Sequence, residues 1–127
     1  MPVHVLGNIC NMDRLMKLAR QHSLTVIEDS TEALGSYYKG KHAGSFGLMG
    51  TFSYNGNKII TTGGGGMIVT DDEVLAKKAK HLTTQAKSDP FEYMHDEIGY
   101  NYRLVNVAAA MGVAQMEQLP GFIKRKQ

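Results

Sequence analysis

The chain has one cysteine, Cys10, so no intrachain disulfide framework is available, and the composition fits a reducing cytoplasm. It has no large excess of one charge. Fourteen Lys and Arg stand against twelve Asp and Glu, a formal net charge of +2, too mild a balance to argue for nucleic acid or a membrane surface. No apolar run approaches the roughly 18–20 residues that span a bilayer, and no basic start followed by an apolar stretch suggests a signal peptide. Repeats and low-complexity segments are absent apart from Gly63-Gly64-Gly65-Gly66. What remains is ordinary globular composition, 43% hydrophobic and 20% charged, in 127 residues: one domain at most.

Leu15, Met16, Leu18 and Ala19 repeat at helical spacing and predict a helix over 11–21. Leu24-Thr25-Val26-Ile27, running into Glu28-Asp29, reads as a buried parallel strand with an acid at its C-terminal end. Gly35, Gly40, Gly44, Gly47 and Gly50 mark a loop-rich stretch. Strands are expected at 51–54 and 67–70, with an Asn55-Gly56 turn between them. Thr70 and Glu73 match a capping box opening a helix that carries Val74, Leu75, Ala76, Ala79 and Leu82. Residues 87–97, with Pro90, read as a loop. Asn106 caps a helix from Val107 to about Leu119, closed by Pro120-Gly121, and residues 122–127 look amphipathic and unfinished. Helix and strand in alternation point to an α/β layer architecture.

Three features bear on chemistry. Asp29 at a strand's carboxyl end is placed to touch a ligand, or else it is a helix cap or a solvated acid. Lys58, between a strand and the glycine run, is either a desolvated amine fit for Schiff-base chemistry or a hairpin-tip lysine in water. The glycine run lacks the Gly-Lys-Ser/Thr of a phosphate loop, and no helix opens on it, so it is a weak nucleotide signal. His4, His22, His42, His81 and His95 lack metal-ligand spacing; they read as surface or loop residues, and no metal is expected. Cys10 reads as a small core filler, and Met111 and Met116 as core.

The ordered segments Val-Ile-Glu-Asp-x-x-Glu-Ala-Leu-Gly at 26–35, Gly-Thr-Phe-Ser-Tyr-Asn-Gly-Asn-Lys at 50–58, Thr-Thr-Gly-Gly-Gly-Gly-Met-Ile-Val-Thr at 61–70 and Gly-Tyr-Asn-Tyr-Arg at 99–103 together resemble the DegT/DnrJ/EryC1/StrS family. Its members are pyridoxal 5'-phosphate-dependent nucleotide-sugar aminotransferases of fold type I. Phe-Ser-Tyr-Asn-Gly-Asn-Lys and Leu-Thr-Thr-Gln-Ala-Lys at 82–87 look most like the branch acting on 4-keto-6-deoxy sugars for bacillosamine and legionaminic acid.

The resemblance implies a three-layer α/β/α large domain with a mostly parallel sheet, here incomplete. Residues 1–127 would be the central portion of that domain, without an N-terminal segment or a C-terminal small domain. It implies that Lys58 holds the cofactor as a Schiff base and shuttles protons once freed. Asp29 would sit against the pyridine nitrogen, and Ser53 would donate its hydroxyl to the phosphate. Asn101, with Arg103 close by, would reach the phosphate of a neighbouring subunit's cofactor, so a homodimer with shared active sites is expected. Many members carry Gln at the position of Glu32, bonding the cofactor's phenolic oxygen. An ionised Glu cannot donate there, so Glu32 is either protonated in the pocket or contacts the site another way. The substrates implied are a nucleotide-linked 4-keto sugar and, as amino donor, glutamate. A chain lacking those flanking segments could instead be a non-catalytic fragment that folds or associates without turnover.

Overall fold

A computed structural model describes residues 1–89 and 91–126; Pro90 and Gln127, which belong to the expected loop and the expected terminal segment, lie outside the described residues. Among the described residues, after a 3-10 turn at Val5–Gly7, five strands and three α-helices follow in the order α1 (Met12–Gln21), β1 (Ile27–Asp29), β2 (Tyr37–Tyr38), β3 (Lys41–His42), β4 (Met49–Ser53), β5 (Gly66–Val69), α2 (Glu73–Thr83) and α3 (Asn106–Lys126). The three-stranded sheet has the order β1-β4-β5 and is mixed. β1 runs parallel to β4 with Asp29 opposite Thr51, whereas β5 runs antiparallel to β4 with Gly66 opposite Ser53. Pairing of Val3 beside Asp29 adds a second parallel contact.

Asn11 caps α1 as its spacing predicts, its Oδ1 accepting from Arg14 N at 3.1 Å. The strand after it starts later than expected. Leu24 N closes the last turn of α1 onto Ala19 O at 2.8 Å, leaving Leu24 exposed, and pairing with β4 begins only at Ile27. Within the glycine-rich stretch lies a hairpin, β2–β3, that the sequence reading treats as loop; Lys39 and Gly40 turn it, both with positive φ.

The cap of α2 is Asp72, whose Oδ1 accepts from Leu75 N at 3.0 Å, not Thr70. The Thr70 hydroxyl instead donates to Leu48 O and accepts from Asp72 N. Pro120-Gly121 does not end α3 either. The helix runs on to Lys126 because Leu119, Phe122 and Ile123 pack on Phe52, Tyr54 and Ile60, the centre of the core. Their burial offsets the roughly 3 kcal/mol that an interior proline costs. Met111 and Met116, expected in the core, are about half exposed, since among the described residues only Leu119 of α3 is buried. No helix among the described residues is long and apolar enough to cross a membrane.

Candidate functional site

The carboxyl ends of β1 and β4 point the same way, and the segments leaving them build a cleft of about 660 Å³. That is where open α/β sheets take their ligands, and the volume lies in the range of small-molecule sites. Its walls include Leu6, Gly7 and Asn8 on one side, Ser36 and Tyr37 on another, and Ile123 from the last turns of α3. Glu32, Ser53 and Lys58 all line it.

Lys58 is not on a hairpin tip. From Tyr54 to Gly65 the chain folds back on itself, with Tyr54 N bonded to Gly65 O, Thr62 N to Tyr54 O, and Ile60 driven into the core. The turn closes through Lys58 N and Asn55 O at 3.1 Å, which leaves the Lys58 side chain only 15% exposed inside the cleft. Ser53 Oγ accepts from Asn55 N at 3.3 Å, so its own proton is free to be donated to an anion.

Glu32 faces Lys58, Oε1 standing 3.6 Å from Nζ, while Oε2 accepts from Leu6 N at 2.7 Å. Oε2 thus accepts a hydrogen bond, and Oε1 stands at ion-pair distance from the ammonium. Its contact within the cleft runs to the lysine. Leu6 pays for the bond with a left-handed backbone, φ 53°, a conformation costly for a branched apolar residue and frequent at functional sites.

Asp29 is not among the residues lining the cleft, although its neighbour Thr31 is. It sits at the end of β1, half-buried, its Oδ1 accepting from Thr31 N at 3.2 Å. Asn101 is also elsewhere. It is exposed, paired with Thr84, and its Oδ1 accepts from Arg103 N at 3.4 Å. At the end of the glycine run the need is close approach: a Cβ on Gly66 would lie 2.6 Å from Phe52 O, so only glycine fits there.

Two groups escaped the sequence reading. His4, expected at the surface or in a loop, is fully buried, its Nε2 3.0 Å from Glu28 Oε2. Glu28, also fully buried, further accepts from the backbone N–H groups of Gly44, Phe46 and Gly47. Backbone donors leave no mark in a sequence; the only signal was an acid inside a strand. The second group is His81 with Asp96 and Glu97, whose candidate ligand atoms lie within 4.8 Å of one another. The Lys78 ammonium already pairs with Glu97 there, and His81 Nε2 with Asp96 at 2.6 Å, so the cluster reads as an ion-pair clasp between α2 and the following loop. Cys10 is half-buried, not a core filler, with Sγ 3.5 Å from Val3 O.

Comparison with known proteins covers the same chain. The profile of the DegT/DnrJ/EryC1/StrS aminotransferase family matches residues 1–127. The GDP-perosamine synthase of Escherichia coli is 50% identical over 127 residues, all of this chain and 35% of that protein. Among solved structures, Helicobacter pylori PseC, an aminotransferase involved in the biosynthesis of pseudoaminic acid, superposes with a TM-score of 0.87 at 38% identity. The match covers 93% of this chain and 32% of that one. A Streptococcus pneumoniae protein solved in its PLP form gives a TM-score of 0.87 at 26% identity, over 94% of this chain and 36% of that one. The chain therefore spans about a third of the length of the curated relatives it matches.

Proposed function

The chain belongs to the DegT/DnrJ/EryC1/StrS aminotransferase family, and on that footing we propose that it is the central part of the cofactor-binding domain of an enzyme that transfers an amino group to a nucleotide-linked 4-keto sugar. The family depends on pyridoxal 5'-phosphate. The observation that carries the proposal is Lys58, an amine nearly withdrawn from water in a cleft that also holds Ser53 and Glu32. This donor set fits the cofactor: a nucleophilic amine for its aldehyde and a hydroxyl with a free proton for its phosphate.

Bound pyridoxal phosphate supplies an electron sink for the carbon that loses or gains a proton. Lys58 Nζ would hold it and would carry that proton. Asp29, at the end of β1 beside the cleft-lining Thr31, would meet the ring nitrogen and hold a proton there, and Ser53 Oγ would donate to the phosphate. Glu32, through its contact with Nζ, keeps the freed lysine in the cleft. Asn101, which is not among the residues lining this cleft, would serve the phosphate site of a second subunit, so the proposed enzyme is a homodimer with shared sites. Glutamate is the proposed donor and the cytoplasm the proposed compartment. The relatives' names include both GDP- and UDP-linked sugars, so either nucleotide is compatible with the reading.

The test is borohydride reduction in the presence of pyridoxal phosphate, followed by peptide mass spectrometry. The adduct is expected on Lys58; recovery on Lys39 or Lys41 alone would remove Lys58 from the chemistry. A second reading, that residues 1–127 alone fold or associate without turnover, is favoured by the exposed Phe91, Ile98 and Val107. Steady amino-sugar formation by the 127-residue chain, above the free-cofactor background, would overturn it.

A further inference from the structure

We propose that Glu28 is a positioning residue for the cleft: its buried carboxylate ties together two chain segments that lead into the cleft lining. The inference rests on the functional reading above. A carboxylate has about four lone-pair sites, and here four donors meet them. Oε1 accepts from Phe46 N at 2.6 Å and Gly47 N at 2.7 Å; Oε2 accepts from Gly44 N at 2.9 Å and from His4 Nε2 at 3.0 Å. The His4 tautomer follows from its other nitrogen. Nδ1 faces the N–H of Cys10 at 3.3 Å and accepts from it, so Nε2 carries the hydrogen and donates to Glu28.

Each partner leads to a wall. His4 belongs to the segment that pairs with β1 through Pro2 O and His4 N, then turns through Leu6, Gly7 and Asn8 along the cleft. The Gly44–Gly47 stretch follows the β2–β3 hairpin, and Ala43 N bonds back to Ser36 O, beside Tyr37 on the other wall. Charge-assisted bonds of this kind are roughly twice as strong as neutral ones. One carboxylate, three residues from the cleft-lining Thr31, thus joins segments from different parts of the sequence that both lead into the lining.

Glu28→Gln keeps the shape but offers one acceptor oxygen and turns an NH2 toward backbone N–H groups. In the complete enzyme, with the folded state verified by circular dichroism, it should weaken pyridoxal phosphate capture about tenfold. That is less than the hundredfold a 1 Å displacement of reacting groups can cost. Dissociation constants are read from cofactor absorbance, per folded molecule, a quantity that a merely structural role would leave in place. A constant within twofold of the unaltered protein overturns the proposal. If Glu28→Gln does not fold, the His4 pair decides. His4→Gln, which keeps an N–H for Glu28, should bind the cofactor normally, and His4→Ala should bind it several-fold more weakly. Equal constants for the two overturn the proposal. Failure of the functional reading is separate, since it would show as no adduct on Lys58 in the unaltered protein.

Discussion

Leu119→Ala is the substitution whose cost the fold determines most directly. Leu119 is 8% exposed and fills the space between Phe52, Tyr54 and Ile60, one turn before Ile123 enters the cleft. Leu→Ala in a core costs about 2–5 kcal/mol, the spread reflecting how far neighbours collapse into the cavity. Leu34, Ile59, Phe122 and Ile123 are only partly buried around this cluster and are free to move in, which selects the lower half, about 2–3 kcal/mol. With a urea slope of about 1–3 kcal/mol/M, the denaturation midpoint should fall by about 0.7–3 M. Tyrosine fluorescence and circular dichroism should give coincident transitions if unfolding is two-state. Leu18→Ala, on α1 and 45% exposed, is the control and should move the midpoint by only a small fraction of that. A midpoint for Leu119→Ala equal to that control would refute the reasoning, because the last turns of α3 would then not be held by the core.

Asp29→Asn should leave cofactor binding largely intact in the complete enzyme while transamination falls by orders of magnitude, since an amide cannot keep a proton on the ring nitrogen; near-normal turnover would remove Asp29 from the ring. Ser30 Oγ is fully buried without a hydrogen-bond partner, so Ser30→Ala should be neutral or stabilise by about 1 kcal/mol in urea denaturation, and a clear loss would show that the hydroxyl is bonded. The Lys39 ammonium bonded to Asp13 holds that carboxyl below its ordinary value, and the same contact raises Lys39. The depressed acid contributes above its unfolded value and loses that contribution as pH falls through the folded one; the raised lysine contributes at lower pH and loses it as pH rises through its own. The tie between α1 and the hairpin should therefore persist across neutral pH. In a carboxyl titration by NMR, Lys39→Met should return Asp13 toward about 4, and an unmoved curve would show that Lys39 is not the cause.

What could be read from the sequence was local. Asn11 capping α1 and the runs that became β4 and β5 are short-range patterns, and the structure keeps them within a residue or two. Ser53 and Lys58 were legible as a motif, and they share the cleft because the fold-back between β4 and β5 is itself local. The misreadings came where distant packing outweighed a local signal. Pro120-Gly121 looks like a stop, yet the core holds the helix beyond it. Lys39 in a left-handed turn carries no sequence signature; the hairpin is braced instead by α1, where Asp13 meets the Lys39 ammonium and the Tyr38 hydroxyl.

The two adjacent acids of β1 show how strand geometry assigns different tasks to one residue type. Side chains alternate along a strand, so Glu28 and Asp29 must face opposite ways. Glu28 is turned inward, where four donors meet it, and an unpaired carboxylate there would be strongly destabilising. Asp29, among the described residues, has one side-chain bond, accepting from Thr31 N, and stays half-buried at the carboxyl end. A one-residue slip of β1 against β4 would exchange these environments and spoil both at once. Such a slip is opposed by Asp29 N on Pro2 O and His4 N on Asp29 O, at 2.9 and 3.0 Å. The acid proposed to meet the ring nitrogen is thus held in register by the segment that its buried neighbour anchors through His4.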